Sequence, residues 1–294
     1  MHWQKIALVG VGLLGGSVGM AVRQHRLAKQ VVGYVRRQAS IEECVQAGAV
    51  DSATMVLAQA VENADLVILC TPLGQMLELT KQMLPSLKRG AVVTDVGSVK
   101  GQPAKELTAL ISGAGACFIG SHPMAGAEKM GVSAARADLF QNAVCVVSPT
   151  PKSPAAEVKK LEEFWKALGG KPMRVKPDLH DELVSRSSHL PHVVAAELAN
   201  YVLSPALPKS QPQLCATGFR DMTRIASGSP EMWRDISLAN REHLSRVLGV
   251  FIEDLQEFQL ALENGDAKAV EEFFVKAKQR RDDWCAQSVS PSPE

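Results

Sequence analysis

Short runs of β-branched and aliphatic residues recur along the first half of the chain, each ending on polar or turn residues. They are KIALVGVG, QVVGYV, ADLVILCTP, AVVTDVGS, ACFIGSHP and NAVCVVSPT. Their length and bounding residues suit buried strands. Between most of them apolar positions fall at helical spacing, as in LLGGSVGMAVRQH, IEECVQAG and GQMLELTKQMLPSL. Strands alternating with helices predict an α/β fold, a mostly parallel doubly wound sheet of Rossmann type. AEVKKLEEFWKALGG and KPMRV add a last helix and strand.

After residue 177 the pattern becomes helical throughout. PDLHDELVSRSSHLPHVVAAELANYVL reads as a helix with a proline inside it, and LSPALPKSQPQ as a loop. Ser229-Pro230 supplies an N-cap and a first-turn proline for one long helix. Along it Leu244, Leu248, Phe251, Leu255, Phe258 and Leu262 step by four and three. Such a seam buries itself against another helix, either within one subunit or across a homodimer, the second being expected in a helical domain with few strands to lean on. The expected divisions are residues 1–177, a dinucleotide-binding domain, residues 178–287, an all-α substrate and dimerisation domain, and a disordered tail at 288–294.

Composition narrows the function by exclusion. Lys plus Arg at 32 against Asp plus Glu at 31 leaves a formal charge of +1. Nothing in that balance predicts nucleic acid or a membrane as partner, so an anion must be held by a few placed cations. The six cysteines are scattered, with no CxxC pair and no metal-ligand spacing. They read as reduced thiols of a cytoplasmic protein, and no metal is expected. The apolar N-terminus carries repeated glycines and ends in VRQHR, unlike a signal or membrane segment,.

Gly10, Gly12 and Gly15 form GxGxxG between the first strand and first helix, with Leu13 and Leu14 inside the motif. Opening a βαβ unit, this motif predicts that loop amides and the helix end hold a pyrophosphate. NAD-binding loops place an acid at the end of the second strand. Here Val35 stands there, followed by Arg36 and Arg37. A guanidinium pairs with a ribose 2′-phosphate where a carboxylate repels it. NADP is therefore expected over NAD, the plain alternative being two solvated surface arginines. Thr71 and Pro72, in CTPLG, fall at the end of the next strand on the same side.

A nicotinamide along the carboxyl ends of the strands faces the loops CTPLGQ, DVGSVKG and GSHPMAGAE. These bring Thr71, Ser98, Ser121, His122 and Glu128 toward one crevice. A neutral His122 there can take a proton from a substrate hydroxyl whose carbon gives up hydride, with an acid limb near the histidine reference of ~6.5. Ser98 is placed to orient that ring or to hold the cofactor amide.

GSHPMAG, DVGSVKG, HDELVSRSSHLPH and FRDMTRIASGSPEMW together resemble the prephenate/arogenate dehydrogenase family of tyrosine biosynthesis. The resemblance runs from the glycine loop to about residue 285. It implies a nucleotide domain, a helical dimerisation domain and an active site between them. It also implies oxidative decarboxylation of a cyclohexadienol, arogenate or prephenate, with hydride leaving C4 as carbon dioxide leaves C1. By motif, His122 is similar to the family's base and Ser98 to its orienting serine. Arg224 matches the residue that binds a substrate carboxylate. His180, Ser188, His189 and His192 match pocket positions, Trp233 a pocket wall, and Glu128 and Asp221 acids at the entrance. Many relatives have threonine where this chain has Ala127. Control by an appended domain is not expected, whereas tyrosine competing at the active site fits the resemblance.

An ideal helix restricts this list. At about 100° per residue His189 points nearly opposite His180, so all the pocket histidines cannot share one face unless the segment bends near Pro191, and His189 reads equally as a hydrogen-bonded structural histidine. Discrimination between the two substrates needs an acid near the arogenate ammonium, for which Glu128, Asp178, Asp181 and Asp221 are candidates. The arginine pair and the two-domain plan tilt the expectation to arogenate with NADP; the alternatives are an NAD-dependent prephenate dehydrogenase and a β-hydroxyacid-type dehydrogenase. The latter uses a lysine base on the first interdomain helix, and PDLHDELVSRSSHLPH contains none. A redox-sensing NADP-binding regulator that lost catalysis predicts decay of His122, Ser98 and Arg224, and all are intact.

Overall fold

The computed structural model describes residues 2–126 and 129–289. Strands β1 (Trp3–Val9), β2 (Ala28–Tyr34), β3 (Ser52–Thr54), β4 (Leu66–Leu69), β5 (Val92–Asp95) and β6 (Cys117–Phe118) form one six-stranded sheet in the order 3-2-1-4-5-6. Every pairing in it is parallel. The order reverses between β1 and β4, where an open parallel sheet leaves a crevice beyond its carboxyl ends. Helices α1 (Leu13–Gln24), α2 (Ala39–Gln46), α3 (Leu57–Val61), α4 (Leu73–Met83) and α5 (Gly101–Gly113) connect the strands. Ile6, Leu8, Leu66 and Ile68 face one apolar core, and Ala7, Val9, Val67 and Leu69 another. That alternation explains why these strands read as unbroken hydrophobic runs.

The segment ACFIGSHP differs from its expected single strand. After β6 the chain leaves the sheet at Ile119 and enters β7 (Gly120–Pro123), which pairs antiparallel with β8 (Val144–Ser148). A parallel strand β9 (Lys171–Arg174) completes this second sheet, behind α6 (Ala155–Ala167). The change of sheet carries His122 across the end of β5 instead of along the edge of the large sheet.

Beyond β9 lie α7 (Pro177–Val184), a π turn (Ser185–His189), α8 (Leu190–Val202), α9 (Thr217–Thr223), α10 (Pro230–Ala239), α11 (Arg241–Glu263) and α12 (Ala267–Val289). The long helix expected from Ser229 is thus two helices. Asn240 leaves helical geometry between them at φ −110° and ψ 26°, its side chain drawn into buried hydrogen bonds. The chain divides into two compact units, Met1–His243 and Leu244–Glu294, so the unit holding the sheets continues past the change of pattern at 177. In the second unit Phe258 packs against Phe273 and Phe274, while Leu255, Leu262, Phe274 and Trp284 are exposed. Among the described residues no helix is long and apolar enough to cross a membrane. The expected disordered tail falls largely outside the described residues.

Candidate active site

The glycine loop has the geometry its motif predicts. Gly10 adopts φ +97°, and a side chain there would press on the carbonyl of Cys70,. Gly15 lets α1 pass so close to the loop that a Cβ would stand 2.1 Å from the Gly10 carbonyl. At Gly12 an added Cβ would meet nothing within 4 Å, and no side chain caps α1. The uncapped amides and the open space suit a phosphate. Across the switch point, the Thr71 hydroxyl is buried with no hydrogen-bond partner. Such a group is costly unless something supplies a partner, and a dinucleotide in the crevice would do so. Pro72, the N-cap of α4, follows it. Val35 is buried, whereas Arg36 and Arg37 are exposed. Arg37 reaches Ser40 at 3.1 Å and Glu43 at 3.5 Å; Arg36 has no such partner among the described residues. A hollow of about 290 Å³ beside Trp3, Asp65, Lys88 and Lys160 opens at the amino end of β1, the wrong end of a parallel sheet for a nucleotide,.

His122 is buried on β7 and Ser121, its neighbour, points the other way, as alternation along a strand requires,. The Ser121 hydroxyl is bonded to Thr94 at 2.8 Å and accepts from the Trp165 indole at 3.1 Å, so it does not face the crevice. Behind it Lys100 pairs with Asp95 and donates to the Ser121 carbonyl at 2.7 Å. Asp95 in turn accepts from the amides of Ser121 and Gly97. This buried ion pair ties the loop carrying Ser98 to the strand carrying His122. Burial drives Lys100 below the ordinary lysine range and the Asp95 charge opposes it.

The His122 ring is held by His180, not by Ser98. His122 Nδ1 lies 2.9 Å from His180 Nε2, and His180 Nδ1 lies 2.7 Å from Asp181 Oδ1. No hydrogen bond links Ser98 to His122 among the described residues. Asp181 accepts further bonds from the amides of Lys100 and Gly101, both at 2.7 Å, at the start of α5. His180 is 2% exposed and stands behind His122. Burial above all, and then the nearby His180, Lys100 and His189, hold the His122 pKa well below its usual value, so the ring is neutral near pH 7.

The π turn resolves the conflict among the histidines. A π-type bond spans five residues, re-indexing the helix face so that His189 is buried beside His180. His189 is fully enclosed and its Nδ1 accepts from Asn240 at 3.0 Å. Burial lowers its pKa to about 4, the Asp181 charge opposing. The partly exposed His192 instead stacks on Trp233 at 3.7 Å and donates through Nδ1 to the Ser188 carbonyl at 2.9 Å. Burial, partly offset by that bond, lowers the pKa of His192, and the charge of Arg224 lowers it further. Ser188, His192, Trp233 and Arg224 thus gather in one region, joined to the buried histidines by the His189–Trp233 contact. Asp221 is exposed on α9, and Asp178 pairs with His243 at 3.2 Å. Glu128 and Ala127 lie outside the described residues. Among those residues no group of His, Cys, Asp and Glu is placed to hold a metal.

Lys100, Asp95 and Asn240 carry no signal of these contacts in the sequence. Only Asp181 carried a signal, an acid beside a candidate histidine.

Residues 18–174 match the family model described as prephenate dehydrogenase, nucleotide-binding domain, and residues 176–276 that described as prephenate dehydrogenase, dimerization domain. The chain is 33% identical over 279 residues to a prephenate dehydrogenase of Bacillus subtilis, covering 94% of this chain and 75% of that protein. It is 31% identical over 281 residues to a cyclohexadienyl dehydrogenase of Zymomonas mobilis, covering 95% of each. The fold superposes on Aquifex aeolicus prephenate dehydrogenase, solved with hydroxyphenyl propionate and NAD+, with TM-score 0.90, 30% identity and coverage of 96% of this chain and 99% of that one. For Synechocystis arogenate dehydrogenase the TM-score is 0.82 at 31% identity, covering 96% and 100%.

Proposed function

The chain belongs to the prephenate/arogenate dehydrogenase family of oxidoreductases, and on that premise we propose that it converts arogenate to tyrosine with NADP, His122 serving as the base. The carrying observation is the state of the His122 ring: neutral, buried, with Nδ1 engaged by His180 and Nε2 making no hydrogen bond among the described residues. A base must present a lone pair to the proton it removes, and Nε2 is the atom able to do so.

The bound nicotinamide supplies the hydride acceptor. The protein's part is to orient substrate and remove one proton, because aromatisation of the ring drives loss of carbon dioxide. His122 Nε2 takes the proton from the C4 hydroxyl. Arg224 holds a substrate carboxylate, the stacked pair Trp233 and His192 forms one wall, and Ser188 adds a polar group to that side. Ser98, on the loop after β5, would hold the cofactor amide.

Arg36 supports NADP, being exposed and without a partner among the described residues at the end of the ribose-reading strand. Arogenate rests on that arginine site and on an acid near the ammonium. Asp181 and Asp178 are committed elsewhere, which leaves Glu128 and Asp221 for that role. A homodimer through the C-terminal helices is supported by the exposed apolar residues of α11 and α12. Steady-state kcat/KM for arogenate and prephenate, each with NADP and NAD, tests the reading. The highest value is expected for arogenate with NADP. A preference for prephenate of tenfold or more, about 1.4 kcal/mol at the transition state, overturns the substrate choice, and activity with neither overturns the function.

A further inference from the structure

We propose that Asp181 and His180 are positioning residues that fix the His122 imidazole as its Nδ1–H tautomer, so that Nε2 carries the lone pair presented to substrate. The inference rests on the reading of His122 as base and adds to it the device that selects which nitrogen acts.

A carboxylate can only accept hydrogen bonds. Asp181 therefore requires His180 to donate from Nδ1, across 2.7 Å. In a neutral His180 the lone pair is then on Nε2, and the hydrogen bond at 2.9 Å requires His122 to donate from Nδ1. The remaining lone pair, on His122 Nε2, is the only basic site left in the chain of three side chains. A free neutral histidine prefers the opposite tautomer, with its proton on Nε2, which would leave no base facing the substrate.

The far end of the relay is rigid. Both Asp181 oxygens are pinned by first-turn amides of α5, whose helix end also favours the negative charge,. The Asp181 carbonyl accepts from Asn240 Nδ2 at 2.9 Å, which holds the main chain as well. His180 is enclosed, and its ring meets that of His122 edge-on at 5.2 Å and 71°. It therefore has no open face on which to meet substrate, and its contacts are those of a spacer between carboxylate and base. In the reaction the proton passes from the substrate hydroxyl to His122 Nε2. The bond from His122 Nδ1 to His180 stays in place, and the Asp181 charge stabilises the imidazolium that forms. The charged or titratable groups around His122 are His180 and Asp181 from α7, Lys100 from the start of α5, and His189 from the π turn; of these only His180 touches the ring nitrogen.

The test is the imidazole nitrogen NMR spectrum of the full-length protein with 15N-labelled histidine near pH 7.5, the His122 signals being assigned by their loss in His122→Asn. The expected result is a protonated Nδ1 and an unprotonated Nε2. In His180→Leu the tautomer should move toward Nε2–H, and kcat should fall about tenfold to a hundredfold with KM little changed, the scale of a lost orienting partner. His180→Gln, which can accept from His122 and donate to Asp181, should recover most of kcat. A wild-type His122 protonated on Nε2, or a His180→Leu enzyme with wild-type kcat, overturns the proposal. The wild-type spectrum decides even if His180→Leu does not fold. Near wild-type turnover in His122→Asn is a different result, which removes the base itself.

Discussion

Asp181 and Gly101 meet at 2.7 Å, carboxylate oxygen to backbone amide, although 80 residues separate them. A Cβ on Gly101 would stand 2.8 Å from that oxygen. Alanine in place of glycine ordinarily stabilises a helix by about 1 kcal/mol. Here Gly101→Ala must displace a pinned carboxylate, so the sign should reverse. We expect a net loss of about 1–2 kcal/mol, within the range for overpacked sites, measured as a lower urea midpoint at unchanged m. A neutral or stabilising result would mean that the contact is not held.

The two arginines after β2 should separate on mutation. Arg37 already leans on Ser40 and Glu43, whereas Arg36 is exposed without such a partner among the described residues. Arg36→Ala should therefore lower kcat/KM for NADP about tenfold to a hundredfold, the worth of a charge-assisted bond, and leave the value for NAD nearly unchanged. Arg37→Ala should have the smaller effect. Equal efficiency with NAD and NADP in the wild-type protein would refute the NADP assignment.

Buried histidines make both stability and rate sensitive to acid. His189 has a folded pKa of about 4, below the unfolded ~6.5,, and that of His122 is lowered too. Above pH 6.5 both are neutral in either state. Below it the unfolded chain takes up protons that the folded chain refuses, so stability falls as pH drops from about 6.5 toward 4. His189 alone accounts for on the order of 3 kcal/mol across that window. Denaturant titrations at pH 7 and pH 5 should show the loss, and His189→Gln should reduce it. For the same reason the acid limb of kcat/KM should lie below 6.5, not at the solution value expected for an exposed histidine.

On the substrate side, Arg224→Ala should raise KM far more than it lowers kcat, because a carboxylate is held equally before and during reaction. Trp233→Phe should keep the stack on His192, seen at 3.7 Å, and most of the activity. Trp233→Ala should lose both, checked by KM and by the fluorescence change on binding a substrate analogue.

The parallel sheet was legible because buried strands leave continuous apolar runs, and the glycine loop because its spacing follows from close approach of backbone to phosphate and of helix to strand. His122 could be placed from its position after a strand facing that loop. Other features carry no local period. Ile119, where one apolar run splits between two sheets, looks like any strand residue. Asn240 breaks a helix that reads as continuous because its amide serves partners 51 and 59 residues away. The π turn carries His189 to a buried bond with Asn240, and Asp181 is held by amides 80 and 81 residues distant. Long-range polar contacts of this kind are decided by the assembled fold, and an ideal-helix projection cannot supply them.

Removal of the substrate proton by His122 is the step on which the proposed reaction depends. Its most direct test is turnover of purified His122→Asn with arogenate and NADP, alongside the cofactor Kd by fluorescence titration. An unchanged Kd and a kcat lower by about 10²–10⁴, the usual worth of a positioned base, are expected. Turnover near the wild-type value with cofactor bound would contradict that role.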